Sequence, residues 1–327
     1  MRAARGDPRA PPASVDEVHM AKMLTKDIPA PSLEAREQPL VYTRRRILWL
    51  RTRKALTERY FWLGLLGVLA FFVGWDLAYR FELPRMEKLE SPLYVFREFT
   101  LPPRGALTYN PALESKWGYG IWGWAWYTDI GMSVWRITQA FAWSLLGIPL
   151  GLLMGWKRSI RDFVFAPFEL MRPIPPISWV PLAIVMFPSQ EAPIIFLCTI
   201  ASFFAVTLNT LLGVDSIDPV YFRAARCLGS SEWQIFRHVI IPGAMPFIFT
   251  GMLIGLGVAW FSLVGGEIIA GTWGLGYRTM DAYMNVATPQ LLIAMFTIGF
   301  IGMLMAVGLR LLQRKVLAWK TKTGETF

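Results

Sequence analysis

Arg136 and Glu267 are the two charges that the sequence sets closest to apolar depth. Arg136 stands in SVWRITQAF, about one and a half turns into a long apolar run, and Glu267 in VGGEIIAG, just after another. A charge at membrane depth is costly, so such residues usually pair with a partner or mark a path for ions. Turned inward, Arg136 attracts an anion. Turned outward, its stem snorkels to the interface. Glu267 either lines a pathway or, with a glycine before it and the IIAG turn after it, caps that turn. Other reactive groups are scarce. The two histidines are His19 and His238, and the two cysteines are Cys198 and Cys227, without metal or disulfide spacing. Paired carboxylates and a Ser/His/Asp set are missing at membrane depth. The residues in place can hold charge but not make or break bonds, so the expectation is no catalytic residue, no metal and no cofactor.

A third polar feature is YFRAARCLGSSEWQIFRHVIIPGAMP, residues 221–246, which lies between two apolar runs. Asp218 followed by Pro219 reads as an N-cap with proline at the first helical position. Gly229 fits the left-handed position that ends a helix. These two signals predict a short helix over about 219–228. Ser231 and Gln234 have the spacing of a capping box, so a second short helix should run to about Ile241 and be stopped or kinked by Pro242. Two stiff helices at an angle result, either lying on a surface or offered to a partner.

Composition decides what surrounds these residues. The chain of 327 residues is 54% hydrophobic and only 17% charged, against about 25% charged in soluble domains. Its mean hydropathy is +0.39. That excludes an ordinary soluble enzyme and predicts an all-α polytopic membrane protein. Six apolar segments lie near Tyr60–Ala78, Ile130–Trp156, Phe163–Phe187, Ala192–Val214, Gly243–Gly265 and Gln290–Leu312. Each is long enough to cross ~30 Å of hydrocarbon at ~1.5 Å per residue. The third is irregular: RPIPPISWVP, 172–181, carries four prolines, so it must break or start late. The domain plan is a basic, largely disordered tail over 1–57, a first crossing over 58–79, an aromatic-rich external connection over 80–128, a core over 129–313 and a short tail over 314–327.

Lys and Arg give the sidedness. Residues 1–59 hold 13, the link 157–161 holds Lys157, Arg158 and Arg161, and the 221–246 stretch holds three, whereas 188–191 holds none and 266–289 only Arg278. Positive residues thus collect on alternate connections, with the exception of 80–128, whose six are balanced by five Glu, and this puts both termini and 215–242 in the cytoplasm. The net charge of +10 reads as membrane orientation and not as nucleic-acid binding. The segment LESKWGYGIWGWAWYTD, 113–129, suits an interfacial aromatic belt or a surface for an external partner.

Ala224-Ala225, three residues, Gly229, nine residues, Val239-x-Ile241-Pro242 resembles the EAA signature of ABC-importer permeases. Arg223 departs from it, standing where that family often has Glu; a compensating acid is expected either on a partner ATPase or nearby, with Glu232 and Asp215 as candidates within the chain. MRPIPPISWVPLAIVMF (171–187) and GGEIIAGTWGLGYRTMDAY (265–283) also resemble the nitrate, taurine, sulfonate and bicarbonate group of that family. The resemblance implies a type I ABC-importer (MetI-like) permease fold of about six transmembrane helices in a bacterial inner membrane. It implies a homodimer, two ATPase subunits that bind ATP and an external solute-binding protein that delivers a small anion. The chain has no GxxxxGK[ST], so ATP hydrolysis must sit on the separate subunit. Coupling falls to Arg223, Ala224, Ala225, Gly229 and Pro242. The glycine-rich loop 265–276 is expected to fold towards the dimer axis, with Glu267, Ile269, Trp273 and Arg136 as pathway or gate residues. Pro173, Pro175 and Pro176 are the expected hinge. The rival class is an ion-coupled secondary transporter working without an ATPase.

Overall fold

The structure, a computed structural model, describes residues 59–81, 90–100, 121 and 124–319. The expected tail 1–57, most of the aromatic connection, including 101–120, and the end 320–327 lie outside the described residues. Two compact units divide the chain at Ala70. The first unit contributes only the start of helix α1, Arg59–Arg80; everything below concerns Phe71–Phe327.

Every regular element among the described residues is helical. After α1 come α2 (Pro92–Thr100), α3 (Trp124–Ser144), α4 (Gly147–Trp156), α5 (Arg158–Met171), a 3₁₀ turn (Pro176–Trp179) and α6 (Val180–Met186). Then follow α7 (Glu191–Asp215), α8 (Pro219–Cys227), α9 (Glu232–Ile235), a π-turn (Phe236–Ile240), α10 (Ile241–Ala270), α11 (Leu275–Met284) and α12 (Thr288–Val316). Among the described residues, five helical stretches are long and apolar enough to cross a membrane: Trp62–Arg80, Trp124–Trp156, Glu191–Asp215, Glu232–Ala270 and Thr288–Val316.

The third apolar segment is broken, as its prolines require. The 163–187 region does not form one rod; it is divided among α5, the turn at 172–175, the 3₁₀ turn and the seven-residue α6. It nonetheless returns the chain across the fold. Arg136 in α3 bonds Glu191, the first residue of α7, while Arg161, just past α4, bonds Asp215, the last residue of α7. The stretch α3–α4 and α7 therefore run in the same direction, so residues 157–190 must come back between them. Among the described residues the plan thus has five helical stretches long enough to cross and one broken return in place of the third segment.

α7 is the centre of the core. Its first turn carries Glu191, which suits the positive helix end, and Pro193, which needs no hydrogen-bond acceptor there. On one side, α4 brings Gly147, Gly151 and Gly155 against Thr207, Thr210 and Val214 of α7. On the other, α10 brings Gly251 and Gly255 against Asn209 and Ser202. Small residues every fourth position let backbones approach, and in a membrane that close packing drives helix association. The main apolar cluster joins α3, α7 and α10 through Ile137, Cys198, Leu256, Ala259 and Leu263.

Two boundaries depart from expectation. The second crossing begins at Trp124 and not near Ile130. Of the two alternatives at Pro242, the stop does not occur: the chain stays helical from Glu232 to Ala270. The π-turn just before Pro242 supplies the reason, because its wider turn relieves the site where proline cannot donate. α2 had no counterpart in the sequence reading. It packs Val95 with Ile293 and Ala294 of α12, beside Trp75 and Trp126.

Candidate functional site

Two polar constructions stand at opposite ends of α7. At the first, three helices and a turn meet around a buried guanidinium. Arg136 lies on α3 with no exposed surface. Its Nε and Nη2 donate to the two carboxylate oxygens of Glu191 at 2.5 and 2.8 Å. Its Nη1 donates to Glu267 at 2.7 Å and to the Trp273 carbonyl at 2.6 Å. This fork-like use of a planar guanidinium is something a lysine cannot copy. Glu267, equally buried, also accepts from Ser133 Oγ at 2.8 Å and from the Gly276 amide at 2.8 Å.

The same side chains cap α11. A helix start leaves its first amides without partners. Here Gly274 N donates to Asp129 (3.0 Å), Leu275 N to Ser133 Oγ (2.9 Å) and Gly276 N to Glu267. Carboxylates at a helix N-terminus are favoured by its dipole. Asp129 further accepts from Arg278 Nε at 2.9 Å, and Arg278 pairs with Asp281 at 3.2 Å. Gly274 takes φ +121, a conformation open mainly to glycine, and a Cβ there would press into Glu267 and Arg136.

Arg136 and Glu267 are bonded to each other in the interior. Arg136 does not snorkel, and its charge is met by two carboxylates within its own subunit. Glu267 lies inside α10 and does not cap the IIAG turn. The glycine-rich loop expected over 265–276 is much shorter: α10 continues to Ala270 and only 271–274 is non-helical. Ile269 and Trp273 remain 52% and 45% exposed, so both are available to a neighbouring surface. Pro173 and Pro175 lie exposed in the turn, and Pro176 opens the 3₁₀ turn. Sequence reasoning missed Asp129, Ser133, Glu191 and Arg278. One signal was available: Asp129, Ser133 and Arg136 have i, i+4, i+7 spacing, which lines one helix face.

At the other end of α7 the polar loop has its expected build. Asp218 Oδ1 accepts from Val220 N at 2.8 Å and starts α8. Gly229 takes φ +76 at the turn. Ser231 and Gln234 form the reciprocal capping box, at 3.3 and 2.7 Å. Trp156 stacks on Phe236 with ring centres 4.5 Å apart, anchoring the loop to the end of α4. The outer side shows Arg223, Ala224, Leu228 and Trp233 exposed, with Ala225 half-buried. The acid expected for Arg223 within the chain is not there: Glu232 pairs with Arg226 and Asp215 with Arg161. Among the described residues no carboxylate lies within ion-pair reach of Arg223.

Comparison with known proteins places this geometry. Residues 147–320 match the family model described as binding-protein-dependent transport system inner membrane component. The chain is 41% identical to the taurine transport system permease protein TauC of Escherichia coli (strain K12), over 71% of this chain and 82% of that protein. It is 32% identical to the bicarbonate transport system permease protein CmpB of Synechococcus elongatus, over 78% of this chain and 89% of that protein. It is 31% identical to the nitrate import permease protein NrtB of a Synechocystis species, over 66% and 76%. A family model spanning just over half the chain, and relatives covered over most of their length, show that this chain belongs to the inner-membrane permease components of binding-protein-dependent transport systems.

Proposed function

We propose that two copies of this chain form the translocation pathway of an ATP-driven importer for a small anion, with ATP hydrolysed on two separate cytoplasmic subunits. The observation that carries this reading is the 215–242 loop. Its two short helices are capped at both starts, joined at a left-handed glycine and stacked on Trp156. A stiff exposed loop transmits force where a floppy one would absorb it. Small side chains at Ala224 and Ala225 allow close approach of a partner groove. Closure of the two ATPase subunits would then drive rigid-body alternating access.

The anion class rests on the relatives, whose names give taurine, bicarbonate and nitrate; an external binding protein would select among such solutes. Both termini and the loop would face the cytoplasm. Ile269 and Trp273 of the two copies would close the outer end, and the turn at Pro173, Pro175 and Pro176 would flex at the other. The secondary-transport reading lacks a free carrier carboxylate at Glu267, because both its oxygens are already bonded.

The test replaces Ala225 by Trp in the complex reconstituted with its ATPase and binding protein. ATP-driven uptake is expected to be lost while the permease still reaches the membrane. Full assembly and normal uptake by Ala225→Trp would defeat this assignment.

A further inference from the structure

The two polar constructions share one helix. α7 runs without a break from Glu191 to Asp215, about 37 Å at ~1.5 Å per residue. Its last residue holds Arg161 at 3.0 Å and leads within three residues into the cap of α8. Its first residue holds Arg136, which in turn holds the carbonyl of Trp273. We propose that α7 is the rod that carries motion of the 215–242 loop to the external turn, with Glu191 and Arg136 as positioning residues for Trp273. The proposal rests on the coupling role given above to that loop.

Three observations support it. First, α7 is gripped along its length by close-packed glycine seams from α4 and α10, so a push at one end is not lost in bending. Close-packed interiors are stiff and transmit displacement. Second, Glu191 is the sole member of the charge cluster that α7 contributes. Asp129, Ser133 and Arg136 belong to α3, Glu267 to α10, and Arg278 to α11. Within the charge cluster, a shift of α7 against α3 therefore acts on Arg136–Glu191, while farther along the two helices are joined by neutral hydrogen bonds, Ser202 Oγ to Ser144 Oγ at 2.9 Å and Thr199 Oγ1 to the Ala140 carbonyl at 3.4 Å. Third, the Arg136–Glu191 contact is the one in the cluster that can open at lowest cost. The Glu191 side chain is 40% exposed, whereas Arg136 and Glu267 are fully buried. On separation, Glu191 regains water while Arg136 keeps Glu267, so no charge is left stranded. Arg136 loses two of its four bonds and with them the orientation that fixes Trp273. A switch of this kind needs one contact weaker than its neighbours, and exposure supplies it.

The test is amide hydrogen exchange on the assembled transporter, with and without ATP, following the peptide 271–278 and the peptide 219–227. The amides of Gly274, Leu275 and Gly276 report the network directly. In the unaltered protein, ATP is expected to change exchange in both peptides. In Glu191→Gln, the 271–278 peptide should exchange about ten-fold faster without ATP and lose its ATP response, while 219–227 keeps its own. Glu191→Asp, which keeps the charge, should restore part of the response. An ATP response at 271–278 that survives Glu191→Gln unchanged overturns the proposal. No ATP response at 219–227 in the unaltered protein would instead strike at the coupling role of the loop.

Discussion

Nη1 of Arg136 lies 2.7 Å from the carboxylate of Glu267, and neither side chain touches solvent. The pair ties α3 to α10 at a depth where an unpaired charge is costly. Glu191, Ser133 and the Gly276 amide complete the bonding of both groups. The first prediction follows. Arg136→Gln strands Glu267, and Glu267→Gln weakens the hold on Arg136. Losing one partner of a buried pair costs about 3–5 kcal/mol, so Arg136→Gln should sharply lower the thermal midpoint in detergent. The double variant should lose less than the sum of the singles, because the second change removes the stranded charge. Additive losses would show that the two residues do not act together.

The glycine seam gives a second prediction. A Cβ on Gly151 would lie 2.6 Å from the Thr207 carbonyl oxygen and 2.7 Å from Thr210 Cβ. Both belong to the facing helix, so neither yields easily. Gly151→Val should cost about 1–3 kcal/mol through overpacking and reduce the folded yield. Gly257, where an added Cβ meets nothing within 4 Å, is the control and should tolerate alanine.

Much of this was legible in the sequence, and what was not has identifiable causes. Caps and turns are local, so Asp218, Gly229, Ser231 and Gln234 all took their predicted places. The breaking of segment 163–187 was equally local, written in its prolines. Of the two outcomes expected at Pro242, stopping or kinking, the stop does not occur, because a π-turn just upstream absorbs the missing donor and no sequence rule marks such a turn. Arg136 and Glu267 stood out singly, yet their pairing spans 131 residues and depends on which faces of α3 and α10 meet. Glu191 read as a loop residue because its partner lies 55 positions away. The family's spacing carried the loop assignment; the ion network needed coordinates.

Arg223 supplies a third prediction. It is exposed on α8, with no acid in reach among the described residues. A matching carboxylate is expected on the partner ATPase. Arg223→Glu should weaken assembly of the complex, measured by co-purification, and a Lys replacing that acid on the ATPase should restore it. Unchanged co-purification of Arg223→Glu would leave Arg223 without a docking role.

Gly229 gives a fourth. Its φ of +76 is strained for any residue with a Cβ, yet nothing lies within 4 Å of a Cβ built there. The cost of Gly229→Ala is then backbone alone, about 1–2 kcal/mol, and falls on the loop and not on the core. Uptake should fall while the thermal midpoint stays nearly constant. Gly229→Asn, which visits the left-handed region more readily, should keep more uptake than alanine does. Equal loss in both would mean that the angle between α8 and α9 is not what matters.

The last prediction concerns the outer seal. Ile269 stands in the last turn of α10 and Trp273 in the turn that Arg136 holds, both about half exposed on a single subunit. Ile268 beside them is 37% exposed. The charges nearest to them are already matched: Arg136 by Glu191 and Glu267, Arg278 by Asp129 and Asp281. Among the described residues these matched charges leave no free charged ring at this end, whereas three large apolar side chains are at hand. An apolar constriction stops ions because an entering charge loses its hydration without compensation. With two copies around one axis, Trp273 and Ile269 would meet their counterparts and exclude water. Replacing both by Ala should raise the ATP-independent leak of nitrate and bicarbonate from proteoliposomes, with the thermal midpoint little changed because neither side chain is in the core. Arg136→Lys should leak in the same sense, since a single ammonium cannot hold Glu191, Glu267 and the Trp273 carbonyl together. A tight membrane in both variants, with folding and assembly intact, would place the seal on other residues.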